Sequence, residues 1–318
     1  MLTYRTYLNT DPPHLLRIWA ECTGRPGLVQ PLNMSSLERS VLNKPYFDPK
    51  GLILAFDDRR PVGFAHAGFA PPSDFGDALR HDVGITCLLL VCPDYEKSRV
   101  PEELLLRCEE YLTSRGAQVL YGGSASPWHP FYLGLYGGFQ LPGILESDTR
   151  LIETFTQHSY VLDARYRRFQ LNLMHYRRPP DPDLRLQFAQ YSVCKRLDPQ
   201  LTQWWDAVSY CESELLDYLL VNPTTGRPVA RVRFCKHNPN PHSWPAVGLV
   251  DIRVAEGWAD RRVDDFLLGE SLVRLQQEGI SVVEAQCPSG ATGTANLLTT
   301  HGFQPATGGV VFRKEKTT

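Results

Sequence analysis

The sequence predicts an α/β protein in which one fold is built twice in succession. Three observations carry this expectation. The chain has 318 residues, more than one ordinary core of about 150 residues uses. A set of strand, helix and turn signals recurs in the same order in its two halves. A proline-rich stretch, Arg177-Arg178-Pro179-Pro180-Asp181-Pro182-Asp183, separates them as a linker would. The predicted domains are therefore 1–178 and 183–318.

The repeat rests on three ordered anchors. The first is a hairpin. Leu52-Ile53-Leu54-Ala55-Phe56 runs into the polar turn Asp57-Asp58-Arg59 and returns through Arg60-Pro61-Val62-Gly63-Phe64. In the second half Tyr218-Leu219-Leu220-Val221 runs into Asn222-Pro223-Thr224-Thr225-Gly226 and returns through Arg227-Pro228-Val229-Ala230-Arg231-Val232. Short β-rich runs flanking turn residues are a hairpin signal.

The second anchor is a strand, a loop and a helix. Ile85 to Val91 is a near-continuous apolar run, as expected of a strand covered on both faces. After the loop Cys92 to Ser98, Arg99-Val100-Pro101-Glu102-Glu103 opens a helix that ends near Arg115-Gly116. Proline and acids in the first turn and glycine past the end mark those boundaries. Arg262-Val263-Asp264-Asp265 opens the copy, and Gly279 stands as far beyond Arg262 as Gly116 does beyond Arg99. A strand follows each, Val119-Leu120-Tyr121 and Val282-Val283-Glu284.

The third anchor closes each half. Thr156-Gln157-His158-Ser159-Tyr160 and Thr299-Thr300-His301-Gly302-Phe303 end matching helices, and β-rich tails follow at Tyr166 to Leu173 and Val310 to Phe312. Only the first half carries an insert between the second and third anchors, Gly122 to Leu145. The opening strand and helix fall at Leu2 to Tyr7 and His14 to Cys22; their copies fall at Leu184 to Phe188 and roughly Pro199 to Ala207.

The order strand, helix, hairpin, long strand, loop, helix, strand, helix, strand resembles the GNAT family of acyl-CoA-dependent N-acetyltransferases. Tandem members such as mycothiol synthase are similar in layout. The resemblance covers nearly the whole chain apart from the insert. It implies, for each half, a mixed and mostly antiparallel central sheet flanked by helices. It also implies acetyl-CoA as donor substrate, held by the loop after the long strand at a helix N-terminus, where N–H groups and the helix dipole receive a diphosphate.

On this chain the implied donor-binding strip is Leu90, Val91, Glu96, Lys97, Ser98, Arg99, Val100 and Pro101. The loop departs from the family pattern. Glu96 stands where the family has Arg or Gln, Arg99 where it has its first Gly, and Pro101 where it has a second small residue. In the second copy these places hold Ala259, Arg262 and Asp264. Each acid costs about 1 kcal/mol of donor binding if exposed, and Arg99 or Arg262 is placed to offset it by grasping a phosphate.

The family often supplies its general acid as a Tyr on the last helix, four residues before the closing Gly. The matching residues here are Phe155 and Leu298, neither of which donates a proton. The insert offers substitutes in Pro130-Phe131-Tyr132-Leu133-Gly134-Leu135-Tyr136-Gly137-Gly138-Phe139. Tyr136 or Tyr132 is the candidate acid, or a wall for the pantetheine arm; the alternative is a packed surface loop with glycines at its turns. Asp251 and Glu284, on central strands of the second copy, are weighed as bases against a surface placement, which is favoured.

Other features point away from further chemistry. A net charge of -2 supplies no global attraction for nucleic acid or an anionic membrane. Arg165-Tyr166-Arg167-Arg168 and Arg177-Arg178 read as surface. The eight cysteines lack a Cys-x-x-Cys pair and read as buried free thiols. His129, His158 and His301 have no metal-ligand spacing, so no metal is expected, and the last two end helices. Trp204-Trp205 reads as packing, and Gly122-Gly123-Ser124 is too short for a phosphate loop. With no apolar leader and no apolar run of about 18 residues, a cytoplasmic location is expected. The resulting expectation is an N-acetyltransferase acting on a small-molecule amine, mainly through its first copy. The alternative is a non-catalytic protein of the same fold that binds a CoA-type ligand or a partner.

Overall fold

The structure is a computed structural model, and it describes residues 1–72, 76, 78–126, 128–211, 213–236 and 245–316. In chain order its first elements are β1 (Leu2–Thr6), α1 (Pro12–Glu21), α2 (Met34–Leu37), β2 (Leu52–Asp57), β3 (Arg60–Ala70), β4 (Arg80–Val91), α3 (Val100–Ser114), β5 (Val119–Gly122), β6 (Ile144–Leu145) and α4 (Thr149–Gln157). There follow β7 (Val161–Asn172), α5 (Pro182–Gln187), β8 (Ser192–Leu197), α6 (Trp204–Ser209), β9 (Glu214–Val221), β10 (Pro228–Lys236) and β11 (Ala246–Val254). The last are α7 (Val263–Gln277), β12 (Val282–Pro288), α8 (Thr292–Thr300) and β13 (Gln304–Glu315).

These elements form two compact units. Unit 1 comprises Met1–Tyr166, Thr202–Cys211 and Thr307–Thr318; unit 2 comprises Arg167–Leu201 and Glu212–Ala306. In unit 1 the strand order is β1-β2-β3-β4-β5-β13, with β6 pairing β13. β4 and β5 run parallel; β1–β2, β2–β3, β3–β4 and β5–β13 are antiparallel. In unit 2 the order is β7-β12-β11-β10-β9-β8. There β11 and β12 are the parallel pair, and β8, β9, β10 and β11 are joined antiparallel. Each sheet is thus mixed, mostly antiparallel and flanked by helices. No helix among the described residues is long and apolar enough to cross a membrane.

Both copies of the long helix start and stop where their sequence signals lie. Pro101 sits in the first turn of α3 above Glu102 and Glu103, and Gly116 takes φ 109° just past its end, a backbone conformation that favours glycine. α7 has the same length, 15 residues, and Gly279 follows it at φ 84°.

The second copy opens differently from its sequence expectation. Leu184 to Phe188 is not a strand; α5 begins there because Pro182 occupies the first turn and the Asp181 carboxylate accepts the Leu184 N–H at 2.9 Å. The strand is β8, a few residues later, whose side chains are mostly exposed and so show no apolar alternation. α6 overlaps only the end of the expected helix, is short and packs in unit 1. The Lys44 ammonium donates to the carbonyls of Val208 and Ser209 at 2.6 and 3.2 Å, and the Trp205 ring stacks on Tyr46.

Unit 1 buries apolar residues on both faces of its sheet. On one face Trp19, Leu54, Phe64, Leu88 and Leu90 meet Phe131 and Tyr132 of the insert. On the other Ala65, Leu89 and Val91 meet Leu104 and Leu105 of α3 and Phe155 of α4. In unit 2 Tyr218, Val232, Phe234 and Val247 gather against Phe266, Leu267 and Leu272 of α7. Alternation along the strands turns Asp217 and Arg233 to the opposite face. There they form a buried bidentate pair with N···O distances of 2.6 and 2.9 Å. Removing one partner of such a pair strands the other charge. Arg233→Met should therefore cost unit 2 about 3–5 kcal/mol, and adding Asp217→Leu should restore most of it. Urea unfolding of the three proteins reads this; a single-variant loss below ~1 kcal/mol would show that the pair does not hold this face.

Candidate functional site

The long apolar strand of each copy contains a bulge. Ala67 stands opposite Thr86 and His66 opposite Leu88, so Cys87 is an extra residue in β4. The parallel register of β4 with β5 ends at Thr86 and Gly122, yet β4 runs on to Val91. Unit 2 repeats both features. A register slip after Arg233 leaves Val250 as the extra residue, and parallel pairing ends at Gly248 and Glu284 while β11 runs on to Val254. A strand that outlasts its parallel neighbour opens a cleft at its C-terminal end, where ligands of α/β sheets bind.

In unit 1 Leu90 and Val91 are buried at this end. The Cys22 thiol donates to the Val91 carbonyl at 3.3 Å, and the Cys92 N–H donates to the Val62 carbonyl at 2.9 Å. Beyond them lies a cavity of about 330 Å³, walled by Cys22 and Arg25, by Pro93 and Glu96, and by Asp148 and Arg150 at the start of α4. Its charges are matched. The Arg25 guanidinium pairs with the half-buried Asp148 carboxylate at 2.8 Å, and Arg150 faces Glu96 at 3.6 Å. One donor is left over: Nη1 of Arg25 is buried without a partner among the described residues. A buried guanidinium N–H without a partner is costly, and an acceptor brought against Arg25 would satisfy it.

The loop between β4 and α3 is held by its own groups. Tyr95 and Ser98 N–H donate to the carbonyls of Cys92 and Tyr95 at 2.9 and 3.0 Å. The Ser98 hydroxyl accepts the Val100 N–H at 3.1 Å, capping one amide at the helix start. Lys97 and Arg99 are exposed, Val100 is buried and Pro101 is half-buried. Arg99 reaches Glu102 and Glu103 only at 3.8 and 3.5 Å, loose exposed pairs of small energetic weight. In unit 2 Arg262 itself adopts φ 53°, the left-handed conformation that favours glycine. Its guanidinium donates to Asp181 and Asp265 at 2.8 and 2.5 Å. Ala259 lies in the turn before it and Asp264 in the first turn of α7.

The insert is packed into unit 1. Val29 N–H donates to the Leu135 carbonyl at 3.0 Å and Gly137 N–H to the Gly27 carbonyl at 2.8 Å. Gly137 has φ 76°, and a Cβ there would collide with Pro142, so this turn requires glycine. Tyr132 is 1% exposed; its hydroxyl lies 3.0 Å from Nδ1 of His66, and burial raises it far above the ordinary phenol range. Tyr136 is also buried, and its hydroxyl accepts the Leu145 N–H at 3.1 Å.

The remaining candidates are each held by neighbouring side chains or backbone. Phe155 stacks on Phe312 with ring centroids 6.1 Å apart, and Leu298 is buried in unit 2. Asp251 accepts from Arg231 at 2.8 Å and Arg253 at 2.9 Å, and Glu284 faces Arg168 at 3.9 Å. His301 bridges the Tyr176 hydroxyl and Asp265 at 2.8 and 2.9 Å, while His158 bonds the Thr154 carbonyl at 2.8 Å. Six cysteines are buried free thiols; Cys194 and Cys211 are exposed. Among the described residues no group of three or more His, Cys, Asp or Glu is placed to hold a metal ion. Sequence reasoning missed Arg25, Asp148 and Arg150; the one local signal was the turn Gly24-Arg25-Pro26-Gly27 after α1.

Burial depresses two histidines, His66 to about 3 and His129 to about 4. In the unfolded chain both titrate near 6.5. As pH falls below that value the unfolded state gains protons that the folded state refuses, so stability declines from about pH 6.5 toward pH 4. His66→Phe should remove about 1.4 kcal/mol per pH unit from that slope. Denaturation midpoints between pH 4 and 7 measure it; an unchanged slope would mean that His66 protonates in place.

Neither the family models nor the curated proteins give a match. Solved structures do. One is the glucosamine N-acetyltransferase region of a fungal multi-domain β-N-acetylglucosaminidase, with TM-score 0.71 and 15% identity over 99% of this chain. This chain spans 38% of that protein. A tandem GNAT protein from the clavulanic acid biosynthesis pathway matches at TM-score 0.67 and 14% identity, over 100% of this chain and 99% of its own. A GCN5-related N-acetyltransferase from Sphaerobacter thermophilus matches at TM-score 0.66 and 15% identity, over 99% and 95%. With the bulge and the early end of the parallel ladder present in both copies, the chain has the tandem GNAT acetyltransferase fold.

Proposed function

We propose that the chain is an N-acetyltransferase that moves an acetyl group from acetyl-CoA to a small-molecule amine, with the donor in unit 1. The observation that carries this reading is the cavity of about 330 Å³ beyond the end of β4, with an unused Arg25 donor in its wall. That two proteins sharing the fold are described as N-acetyltransferases supports it. The donor's diphosphate takes Arg25 and Arg150, and its acyl end follows Leu90 and Val91. The loop from Glu96 through Lys97, Ser98, Arg99, Val100 and Pro101 flanks it. Because Ser98 already caps Val100, the guanidiniums replace much of the helix-start cradle.

The amine nitrogen attacks the thioester carbonyl carbon, the C–S bond breaks, and the nitrogen's proton leaves to water. Tyr136 of the insert protonates the departing thiolate. Tyr132, set against His66, is the second candidate. A non-catalytic binder of a CoA-type ligand is the other reading, favoured by the Ser98 cap and by Phe155 and Leu298 in the family's acid positions.

Isothermal titration with acetyl-CoA and CoA, then thiol release with a panel of amines, separates these readings. Saturable binding with amine-dependent thiol release is expected. Binding without release selects the non-catalytic reading, and no heat at millimolar ligand from folded protein rejects both. Tyr136→Phe should lower turnover by about a hundredfold with donor affinity nearly unchanged; unaltered turnover removes Tyr136 from this role. Glu96→Gln should tighten donor binding about fivefold by removing an opposing charge worth ~1 kcal/mol. Weaker binding would mean that the Arg150 pair matters more than the repulsion.

A further inference from the structure

The sheet face of unit 2 turned away from α7 carries a second cavity, of about 350 Å³, that the donor reading does not use. Register builds its floor. Arg196 of β8 stands opposite Asp217 of β9, Asp217 opposite Arg233 of β10, and Arg233 opposite Asp251 of β11. This is a row of alternating charge across four strands. Arg231 and Arg253 flank it, both donating to Asp251. Four guanidiniums, those of Arg196, Arg231, Arg233 and Arg253, line the cavity. Two carboxylates, Asp217 and Asp251, oppose them, leaving a cationic excess.

Asp217 sits low in this arrangement. Asp217 is 2% exposed and fully engaged by Arg233, whereas the Arg253 side chain is 68% exposed. Arg196 is exposed at the rim. Nε of Arg231 is buried without a partner among the described residues. Arg196 and Arg253 therefore reach the opening while Asp217 stays at the floor, and Asp251, 27% exposed and held by Arg231 and Arg253, does not line the cavity. Pro199, Leu219, Val229 and Val254 supply apolar walls. Fixed planar guanidiniums recognise carboxylate and phosphate oxygens by paired N–H donors, and a partly enclosed site weakens the competition from water.

We propose that this cavity binds a small molecule through an oxyanion, a carboxylate or a phosphate. The inference stands apart from the donor site and does not need the chain to transfer an acetyl group.

Titration of the full chain with inorganic phosphate and, separately, with succinate tests it and shows which oxyanion is preferred. Saturable binding of at least one probe is expected, weakening as salt is raised. Arg196→Gln with Arg253→Gln should reduce it at least about tenfold, with an unchanged melting temperature because both side chains are exposed. Asp251→Asn should strengthen it several-fold, since two guanidiniums then lose a competing carboxylate; a purely structural Arg–Asp cluster would not respond in that direction. No saturable binding of either probe at about 10 mM, a limit weaker than small metabolites require, overturns the proposal. So does binding that the double arginine variant leaves intact, which would place the anion elsewhere.

Discussion

The early end of the parallel ladder beside each long strand is the constraint on which the sites depend. Backbone groups that lose a strand partner must find another. In unit 1 the Val91 carbonyl finds the Cys22 thiol, and the next amide reaches back to Val62. The end of β4 is therefore fixed without being filled, and the chain leaving α1 is drawn to its side. Arg25, three residues beyond Cys22, then lies within reach of Asp148 at the N-cap of α4. One interrupted ladder thus brings together residues that are distant in sequence.

Electrostatics decides what that cleft can hold. The Arg25–Asp148 pair is largely shielded from solvent, so neither charge can be removed without leaving the other uncompensated. Arg150 and Glu96 are more exposed and farther apart, a contact that an entering anion can displace at small cost. Acids at Glu96, Glu102 and Glu103 oppose an anion at the start of α3. The orphaned Nη1 of Arg25 attracts one nearer α4. In the proposed donor site, side chains therefore take the part that backbone amides would otherwise play, and Arg99 and Pro101 are tolerated on that reading.

Much of this fold was legible because the signals were local. Pro101 and Gly116 bounded α3, and the apolar run Ile85 to Val91 announced a strand buried on both faces. The tandem reading came from such signals recurring in order. What escaped was non-local or chemically quiet. β8 exposes most of its side chains, so no alternation marked it, and the Asp181–Leu184 cap shows only once the backbone is folded. Tyr132 and Tyr136 stood out as an aromatic cluster, but the bonds to His66 and Leu145 that define their surroundings cross the fold. Arg25 and Arg150 had no pattern linking them.

The charged face of unit 2 follows from the same economy. In unit 1 the face opposite α3 is sealed by α1 and the insert, and its strand residues are apolar: Leu54, Phe64, Leu88 and Leu90. In unit 2 the helix after β8 is short and packs in unit 1, while the apolar cluster gathers on the α7 side. The opposite face is buried too at Leu215, Asp217, Leu219 and Arg233, so the charges on it must be paired. Arg231 and Arg233, two residues apart in β10, mark this face in the sequence. Their pairing with Asp251 and Asp217 keeps the strands in register, since a slip of one residue would place arginines in the α7 core. The excess guanidiniums are not needed for that register, because two carboxylates already saturate the floor. Their presence at the opening is the part of the arrangement that folding alone does not explain.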